Sequence, residues 1–401
     1  MGSENVSLYE RLSARGVSRR DFMKFCGATA ATLGLSSTFV PTIAAKIAGA
    51  VESGLTPALW INGGACTGCT ESIAQAAYTN VADIVLDFLS LNGMETISMA
   101  TGEYAEQAIE ATYEAASERP YILLYEGAVM TGLGGNVLRV AGVPQTDHLD
   151  HLAPKAAVVI AMGSCAVDGG WVIAHPNPAG GMGVQEYLKK KGIDTPVVNL
   201  PGCPVNPEEL VAVVVQALLL GSDGDLQSGV KAVKDSLDSQ NRPGYLYNAT
   251  IHDSCPRRGH FENGEFVYKF GTEAEAKNWC LYPVGCKGPQ TYRLCPMLRW
   301  NDSQSWCVDS GGPCIGCASF NWVDNNAPFR GRFRQVGIGL TEGGLNPAST
   351  AAAIGGVAAV ALVAHGFGMK AAGRIGPNAT LKNEPMKEHD AKRLKKQGGA
   401  K

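Results

Sequence analysis

Twelve cysteines are the most chemically informative residues of this 401-residue chain. Eleven of them follow residue 60 and, together with one histidine, fall into three groups of four. Thiolates are the soft ligands that hold iron–sulfur clusters, and a cluster usually gathers four of them. The spacing therefore predicts an electron-transfer protein that binds clusters. The three groups are Cys66, Cys69, Cys165 and Cys203; His252, Cys255, Cys280 and Cys286; and Cys295, Cys307, Cys314 and Cys317.

A disulfide framework is the main alternative for a cysteine-rich chain that is exported. Three features weigh against it. Eleven is an odd number, a chain of this length can build a large core, and pairs such as Cys66 and Cys69 are too close in sequence to brace a fold. A zinc protein is a related alternative, and the brown colour of a purified iron–sulfur protein would exclude both.

Composition excludes one class of partner and allows several domains. The chain has 34 basic and 37 acidic residues and a formal net charge of −3, which gives no electrostatic basis for binding nucleic acid. Its length allows two domains with a sizeable core. The 49 glycines suit turns and close approach of the backbone to a bound group.

Apolar runs alternate with helical patterns in the first half of the chain. This alternation predicts an α/β domain over residues 51–221, with a flavodoxin-like, doubly wound parallel sheet. Cys66 and Cys69, Cys165 and Cys203 follow three expected strands, and open α/β sheets bind ligands at the carboxyl ends of their strands. We expect strands at 58–62, 84–89, 121–125, 156–162 and 196–200, and helices at 71–78, 103–116, 183–190 and 207–220.

The second half of the chain is organised differently. Residues 222–244 are polar and are interpreted as a linker. Residues 245–335 are dominated by Gly, Pro and Cys and form the expected irregular cluster-binding domain. Such a segment buries little apolar surface by itself, so bound clusters would stabilise its fold by cross-linking distant parts of the chain.

Both ends of the chain carry targeting patterns. Residues 18–24 read SRRDFMK and precede a weakly apolar run and small residues at 48–50, which predicts a twin-arginine export signal over 1–50, outside the fold. An ordinary amphipathic helix is the alternative.

Residues 348–369 contain no Asp, Glu, Lys or Arg and are long enough to cross a bilayer. A buried core helix is the alternative there. The basic residues of 370–401 predict a tail left in the cytoplasm, and so a protein anchored on the periplasmic side of the membrane.

Residues 58 to about 330 resemble the small subunit of nickel–iron hydrogenases. The strings that carry the resemblance are CTGCTES at 66–72, GSC at 163–165, PGCP at 201–204, IHDSC at 251–255, WCLY at 279–282, GCKGP at 285–289 and PCIGC at 313–317. The export signal and C-terminal anchor resemble those of the membrane-bound uptake members.

The resemblance implies three iron–sulfur clusters in a row. The first group would hold the proximal cluster, nearest the catalytic metal, and the group that contains His252 would hold the distal cluster. Cys295, Cys314 and Cys317 would hold the medial cluster. The nickel–iron centre would belong to a separate large subunit, and the electron acceptor would be a cytochrome b-like or other quinone-linked membrane subunit.

Departures from the family pattern refine these expectations. Cys307 stands where many relatives have proline and a three-iron medial cluster, so we predict a four-iron medial cluster; a free buried cysteine is the alternative. Gly68 and Gly170 stand where oxygen-tolerant relatives have extra cysteines, which predicts an ordinary four-iron proximal cluster and an oxygen-sensitive enzyme. Asp168 replaces a usual aromatic and would lower the proximal potential if ionised, unless it is a solvated loop residue.

Two further residues have candidate roles. Glu71 lies beside the proximal cysteines and is a candidate proton relay, although it could equally accept hydrogen bonds from helix amides. His365 lies in the apolar C-terminal run and is a candidate contact for a haem-bearing partner. The alternative to a hydrogenase subunit is a free-standing, ferredoxin-like carrier, which would have a polar surface and no nickel-containing partner.

Overall fold

The chain divides into two compact units. The computed structural model describes residues 18–52, 56–76, 89–96, 98–220, 226–325, 347–372 and 374–375. The first unit is Met1–Phe333 and the second is Arg334–Lys401. The expected α/β domain and cluster-binding domain thus belong to one unit.

A five-stranded parallel sheet is the centre of the first unit. The spatial order of the strands is β2-β1-β3-β4-β5, and each pairing is parallel. This is the order of flavodoxin-like doubly wound sheets. β3 and β4 are buried at every position, so their sequences are nearly continuous apolar runs. The strands are β1 (Thr56–Asn62), β2 (Leu89–Met94), β3 (Ile122–Glu126), β4 (Val158–Met162) and β5 (Val197–Leu200).

The described residues also form helices of very different lengths. Those before residue 240 are mostly longer, those in the cysteine-rich segment are single turns, and one long helix belongs to the second unit. They are α1 (Arg19–Thr32), α2 (Val40–Glu52), α3 (Gly68–Ala74), α4 (Glu103–Glu114), α5 (Gln145–Leu152), α6 (Gly163–Asp168), α7 (Val184–Lys191), α8 (Pro207–Leu220), α9 (Leu226–Asp235), α10 (Gly244–Tyr247), α11 (Arg258–Glu262), α12 (Glu273–Ala276), α13 (Cys295–Leu298), α14 (Trp322–Asn325) and α15 (Pro347–Ala371).

Two apolar cores lie on opposite faces of the sheet. Ala58 and Trp60 of β1 belong to one core, and Leu59 and Ile61 to the other. This alternation follows from the two-residue period of a strand. Side chains of α1, α2, α8 and α9 complete the first core, and those of α5 and α7 complete the second. With both faces covered, the carboxyl edge of the sheet is left for the cysteines.

Three expected elements differ from the structure. β2 begins at Leu89, where the expected strand ends, and residues 84–88 lie outside the described residues. The helix expected over 71–78 runs from Gly68 to Ala74. The linker assigned to 222–244 is wrong: it contains α9, whose Val230 and Val233 are buried in the first core. Polar residues had suggested a boundary, but they occupy only the outer face of this amphipathic helix.

The N-terminal segment also differs from the expectation that it lies outside the fold. Phe22 and Phe25 of α1 are 1% exposed, and Ile43 and Ile47 of α2 are 0% exposed. All four side chains belong to the first core. Arg19 and Arg20 lie at the exposed start of α1. The apolar part of the signal-like segment is therefore packed against the folded domain.

The cysteine-rich segment has a small core of its own. Its buried side chains include Ile251, Leu281 and Trp306, together with two cysteines. Most of its backbone forms single turns and isolated bridges. This agrees with the expected scarcity of apolar burial.

A single long helix, α15, is described in the second unit. Its residues Ile354–Ala371 have a mean hydropathy of 1.4 and none of them is buried. By length and composition this stretch can cross a membrane. Lys370 lies in its last turn.

Candidate iron–sulfur binding sites

The first cysteine group lies at the carboxyl ends of three strands. Cys66 and Cys69 follow β1, Cys165 lies in α6 directly after β4, and Cys203 follows β5. The thiols are close enough for neighbours in the group to raise the pKa values of Cys69, Cys165 and Cys203. Burial raises the pKa of Cys69, and Glu126, Cys165 and Cys203 raise it further. Burial is also the main cause that raises the pKa of Cys165, and Cys66 raises it further.

Backbone and indole N–H groups point at the sulfurs of this group. The N–H of Val205 lies 3.4 Å from Sγ of Cys69. Burial raises the pKa of Cys203 to about 12, and a hydrogen bond from the side chain of Trp171 offsets part of this rise. The backbone N–H of Trp171 does the same for Cys165. Such donors stabilise negative charge on sulfur, which a cluster needs from its ligands.

The second group surrounds one small cavity. It is lined by His252, Cys255, Cys280 and Cys286. His252 stands in a single turn that starts at Thr250, whose hydroxyl accepts a hydrogen bond from the Asp253 N–H. Burial, and then Arg258, lowers the pKa of His252. Its imidazole is therefore held in the neutral form that binds metals.

The third group lines a cavity of about 470 Å³. Cys295, Cys307, Cys314 and Cys317 all contribute to its wall. Burial raises the pKa of Cys314 well above its usual value. It also raises the pKa of Cys295 to about 12, which Arg293 partly offsets. Cys307 is exposed and faces the cavity together with the other three thiols.

The third group lies between the other two. The backbone N–H of Cys314 donates to Sγ of Cys286, at 3.4 Å, which links the third group to the second. On the other side, Cys317 raises the pKa of Cys203, second only to burial. The side chain of Ser164 joins the same two loops, because it donates to the carbonyl of Cys317 and accepts from the N–H of Gly202 at 2.8 Å. The groups therefore form a row: first, third, second.

The donor chemistry fits clusters better than disulfides or single metal ions. All twelve cysteines lie in the described residues, and none of them forms a disulfide. Among those residues, no three potential ligands converge as they would around one metal ion. Cluster ligands bind separate iron atoms, so they surround a cavity instead. Buried thiols with raised pKa values ionise readily only when a bound cation replaces the lost hydration.

Known proteins are similar in sequence to this chain over most of its length. The family described as the C-terminal part of the NiFe/NiFeSe hydrogenase small subunit matches residues 247–330. The NADH ubiquinone oxidoreductase 20 kDa subunit family matches residues 66–217. The periplasmic [NiFe] hydrogenase small subunit 1 of Nitratidesulfovibrio vulgaris is 38% identical, over 82% of this chain and 97% of its own length. The quinone-reactive Ni/Fe-hydrogenase small chain of Wolinella succinogenes is 36% identical, over 88% and 96%.

The chain belongs to the nickel–iron hydrogenase small subunits. Among solved structures, the [NiFeSe] hydrogenase of Desulfovibrio vulgaris Hildenborough matches with a TM-score of 0.65 and 32% identity, over 70% of this chain and 98% of that one. The resemblance inferred from the cysteine strings is thus confirmed. As a small subunit, the chain is the electron-transfer part of an oxidoreductase whose catalytic site lies on a large subunit.

Glu126 is a residue of this small subunit that sequence reasoning missed. Its carboxylate is 2% exposed at the end of β3. It accepts hydrogen bonds from the N–H of Cys69 at 3.0 Å, the hydroxyl of Thr70 at 2.7 Å and the indole of Trp60 at 3.1 Å. It therefore holds the start of α3 and the loop that carries the first two cysteines. An acidic residue that ends a buried strand was the available signal.

Glu71 does not accept the hydrogen bonds of the N-terminal amides of α3, which was the alternative to a role as a proton relay. The N-terminal amides of α3 bond to Glu126, while the side chain of Glu71 is exposed. Glu71 also lines the cavity of the third group, together with Gly68 and Ser72. Its side chain is thus exposed at the surface of this chain.

Asp168 is not a solvated loop residue. Its carboxylate accepts hydrogen bonds from the N–H of Gly170, at 3.0 Å, and of Asn321. Burial raises the pKa of Asp168, and these amides oppose the rise. Asp168 in turn raises the pKa of Cys165. Asp168 therefore connects the end of α6 to Asn321 of the cysteine-rich segment, and it lies within electrostatic range of the candidate ligand Cys165.

The two glycines that replace extra cysteines have little room for side chains. A Cβ atom at Gly68 would lie 3.1 Å from Sγ of Cys66. A Cβ atom at Gly170 would lie 2.8 Å from Sγ of Cys165, and the φ of this glycine is +47°. Gly170 therefore needs glycine in the conformation that the chain adopts here, whereas a side chain at position 68 would require the Cys66 side chain to shift by a few tenths of an ångström.

Proposed function

We propose that this small subunit takes electrons from H2 oxidation at a nickel–iron site of the large subunit and delivers them to a quinone-linked acceptor in the membrane. The observation that carries the proposal is the row of ligand groups, in which Cys317 neighbours Cys203 and Cys314 neighbours Cys286. A row with a shared middle member suits stepwise transfer from one side of the subunit to another. When bound, iron–sulfur clusters supply one-electron carriers for such transfer.

Each group has an assigned place in this proposal. Cys66, Cys69, Cys165 and Cys203 would hold the proximal cluster, and His252, Cys255, Cys280 and Cys286 the distal one. The medial cluster would have Cys295, Cys307, Cys314 and Cys317 as ligands. Four thiols around one cavity support a four-iron medial cluster. The glycines at 68 and 170 support an ordinary proximal cluster and sensitivity to oxygen.

The distal end offers a route to an acceptor. The ring of Phe261 lies 4.7 Å from that of His252, and Phe266 and Tyr268 continue the series with centroid separations of 5.7 and 6.2 Å. Tyr268 is 69% exposed. These rings would connect the distal ligand group to a protein surface on which the membrane partner could bind.

Metal content of the purified complex tests the main proposal. We expect about twelve iron atoms in this chain, as three four-iron clusters require, and nickel only in a co-purifying subunit. Low-temperature electron paramagnetic resonance (EPR) should give no oxidised three-iron signal. A brown protein without a nickel-containing partner would instead support the free-standing carrier, and a colourless protein without iron would refute both.

Export by the twin-arginine route is a second part of the proposal. It is supported by Arg19 and Arg20 at the exposed start of α1 and by the apolar helices that follow. Changing both to Lys should trap the assembled enzyme inside the cell, whereas Lys46→Gln should not. Cell fractionation with an activity assay measures this. Equal export of both variants would refute the route.

The membrane anchor is the third part of the proposal. Val357, Val360, Leu362 and Phe367 of α15 are each more than two-thirds exposed. A helix with this uncovered apolar surface suits a bilayer, with 370–401 left in the cytoplasm. Replacing Val360 and Leu362 by Arg should release the subunit from washed membranes, because central arginines oppose insertion by about 3 kcal/mol each. Retention of this variant would refute the anchor; Ala359→Leu, as a control, should stay bound.

A further inference from the structure

Arg293 and Glu209 form an ion pair that is completely buried between two of the ligand groups. Their side chains are 0% and 1% exposed. The Nε of Arg293 donates to Oε1 of Glu209 at 2.8 Å, and Nη2 donates to Oε2 at 2.7 Å. Burying two charges costs several kcal/mol per ion unless the pair is well bonded. The bidentate geometry meets this condition, and the pair places a fixed positive charge in the interior of the protein.

The guanidinium of Arg293 is directed at the ligand loops. Its Nη1 lies 3.8 Å from Sγ of Cys317, a hydrogen bond to sulfur. Its Nη2 also donates to the carbonyl of Pro204 at 3.3 Å, next to Cys203. A Cβ atom on Gly202 would lie 1.9 Å from Nη1, so that loop runs directly against the guanidinium. Arg293 therefore contacts a ligand of the third group and the loop that carries a ligand of the first.

Glu209 anchors the arginine from the far side. Its carboxylate also accepts hydrogen bonds from the hydroxyl of Tyr247 at 3.2 Å and the N–H of Asn206 at 3.4 Å. The ring of Trp300 lies 4.9 Å from the guanidinium carbon. These contacts fix the fork of Arg293 in one orientation. Lysine could not reproduce it, because an ammonium group lacks the planar pair of donors.

We propose that Arg293 sets the reduction potential of the cluster held by Cys295, Cys307, Cys314 and Cys317. Reduction adds a negative charge to a cluster, and a fixed positive charge with an N–H donor to a ligand sulfur stabilises that state. Arg293 thus raises the medial potential and favours transfer from the first group to the third. Glu209 moderates this effect because its charge is of opposite sign and more distant from Cys317. The inference rests on the proposed three-cluster chain.

Redox titrations followed by EPR test this inference. In the double variant Glu209→Gln/Arg293→Gln, which keeps a hydrogen-bonded pair without charges, the medial midpoint potential should fall. In Glu209→Gln alone it should rise, since the arginine is then uncompensated. The distal midpoint should not move in either variant. Arg293→Lys should stay closer to the wild-type value than the double variant, because it keeps the positive charge.

A matched control separates charge from scaffold effects. Arg242 and Asp238 form an ion pair at 2.8 Å, and the Arg242 guanidinium lies over the ring of Tyr247. The double variant Asp238→Asn/Arg242→Gln should leave all three midpoints unchanged. An unchanged medial midpoint in Glu209→Gln/Arg293→Gln would overturn the inference, as would equal falls in that variant and in Arg293→Lys. If the double variant loses its medial cluster, the medial midpoint potential of Glu209→Gln decides the question. A rise supports the inference, and a fall or no change overturns it. A wild-type enzyme without a medial signal would refute the three-cluster proposal itself.

Discussion

The backbone N–H of Cys314 donates a hydrogen bond to Sγ of Cys286, and the N–H of Lys287 donates to the carbonyl of Cys314 at 2.8 Å. The loop that contains Cys286 and Lys287 belongs to the second group, and the loop that contains Cys314 belongs to the third. Each loop donates a backbone hydrogen bond to a candidate ligand residue on the other. Because an N–H donor to sulfur stabilises the reduced state of a cluster, neighbouring groups influence each other through the backbone as well as by proximity. Predictions for single ligand positions therefore need readouts that distinguish the three groups.

Cys307 is expected to bind the fourth iron of the medial cluster. Replacing it by Ala should lower the iron content from about twelve to about eleven atoms and create an oxidised three-iron EPR signal. Ser310→Ala is the control, because Ser310 lines the same cavity as Cys307 but carries no thiol. Iron analysis and EPR of the oxidised enzyme measure both. An unchanged spectrum of Cys307→Ala would make this residue a free cysteine.

Gly170 should tolerate no side chain. In Gly170→Ala the new Cβ would meet Sγ of Cys165 at 2.8 Å, in addition to the strain of a positive φ. We expect a loss of about 3 kcal/mol in the free energy of unfolding and the loss of the proximal cluster. Gly134→Ala has a φ of +64° but nothing within 4 Å, so it measures the strain alone. Equal effects of the two variants on iron content would show that the contact with Cys165 does not matter.

Asp168 should make the proximal potential depend on pH. Burial raises the pKa of its carboxyl above the usual 3.8. On acidification, this group is therefore protonated earlier than an ordinary aspartate. The ionised form disfavours the more negative, reduced cluster. The proximal midpoint should therefore rise in Asp168→Asn at neutral pH, and the difference from wild type should shrink as the solution is acidified.

A surface variant controls for net charge in that experiment. Asp194 is exposed, so Asp194→Asn removes the same charge without the burial. It should leave the proximal midpoint unchanged at every pH. EPR-monitored titrations at several pH values measure both variants. A constant difference between Asp168→Asn and wild type across the pH range would mean that the carboxyl does not titrate there.

The N-terminal helices should stabilise the uncleaved protein. Phe25 is 1% exposed in the first core, and its replacement by Ala should lower the free energy of unfolding by about 3–5 kcal/mol. Phe39→Ala is the control, because Phe39 is 47% exposed. Denaturant unfolding of the precursor measures both. If the two variants are equally stable, α1 is not packed as described.

Docking of the N-terminal helices also bears on removal of the segment. The small residues at 48–50 lie within α2, and a peptidase needs an extended backbone at the bond that it cuts. We infer that α2 must leave the domain before cleavage there. Cleavage should therefore be faster in Phe25→Ala than in wild type, which a time course of N-terminal processing would show.

Local patterns explain the parts of the fold that could be anticipated. The helix expected over 207–220 is α8 with the same bounds, because its acidic first turn and long apolar run are local signals. The strands before Cys165 and Cys203 were likewise found from their buried apolar runs. The linker at 222–244 was misassigned since half of an amphipathic helix is polar. The packing of the N-terminal helices against the first core was not anticipated, because an apolar signal segment and a core helix have similar compositions.

The sequence by itself determined the family to which the chain belongs, and it indicated the chemistry through three groups of candidate soft ligands. These depend on residue type and short spacing, which the printed chain displays. Only the tertiary structure decided which groups touch, where Glu126 holds the first loop, and that Arg293 meets Glu209, a residue 84 positions away. A buried charge is tolerated only where a distant segment brings its counter-charge. That pairing arises from packing, because no local pattern encodes the position of a residue on another element.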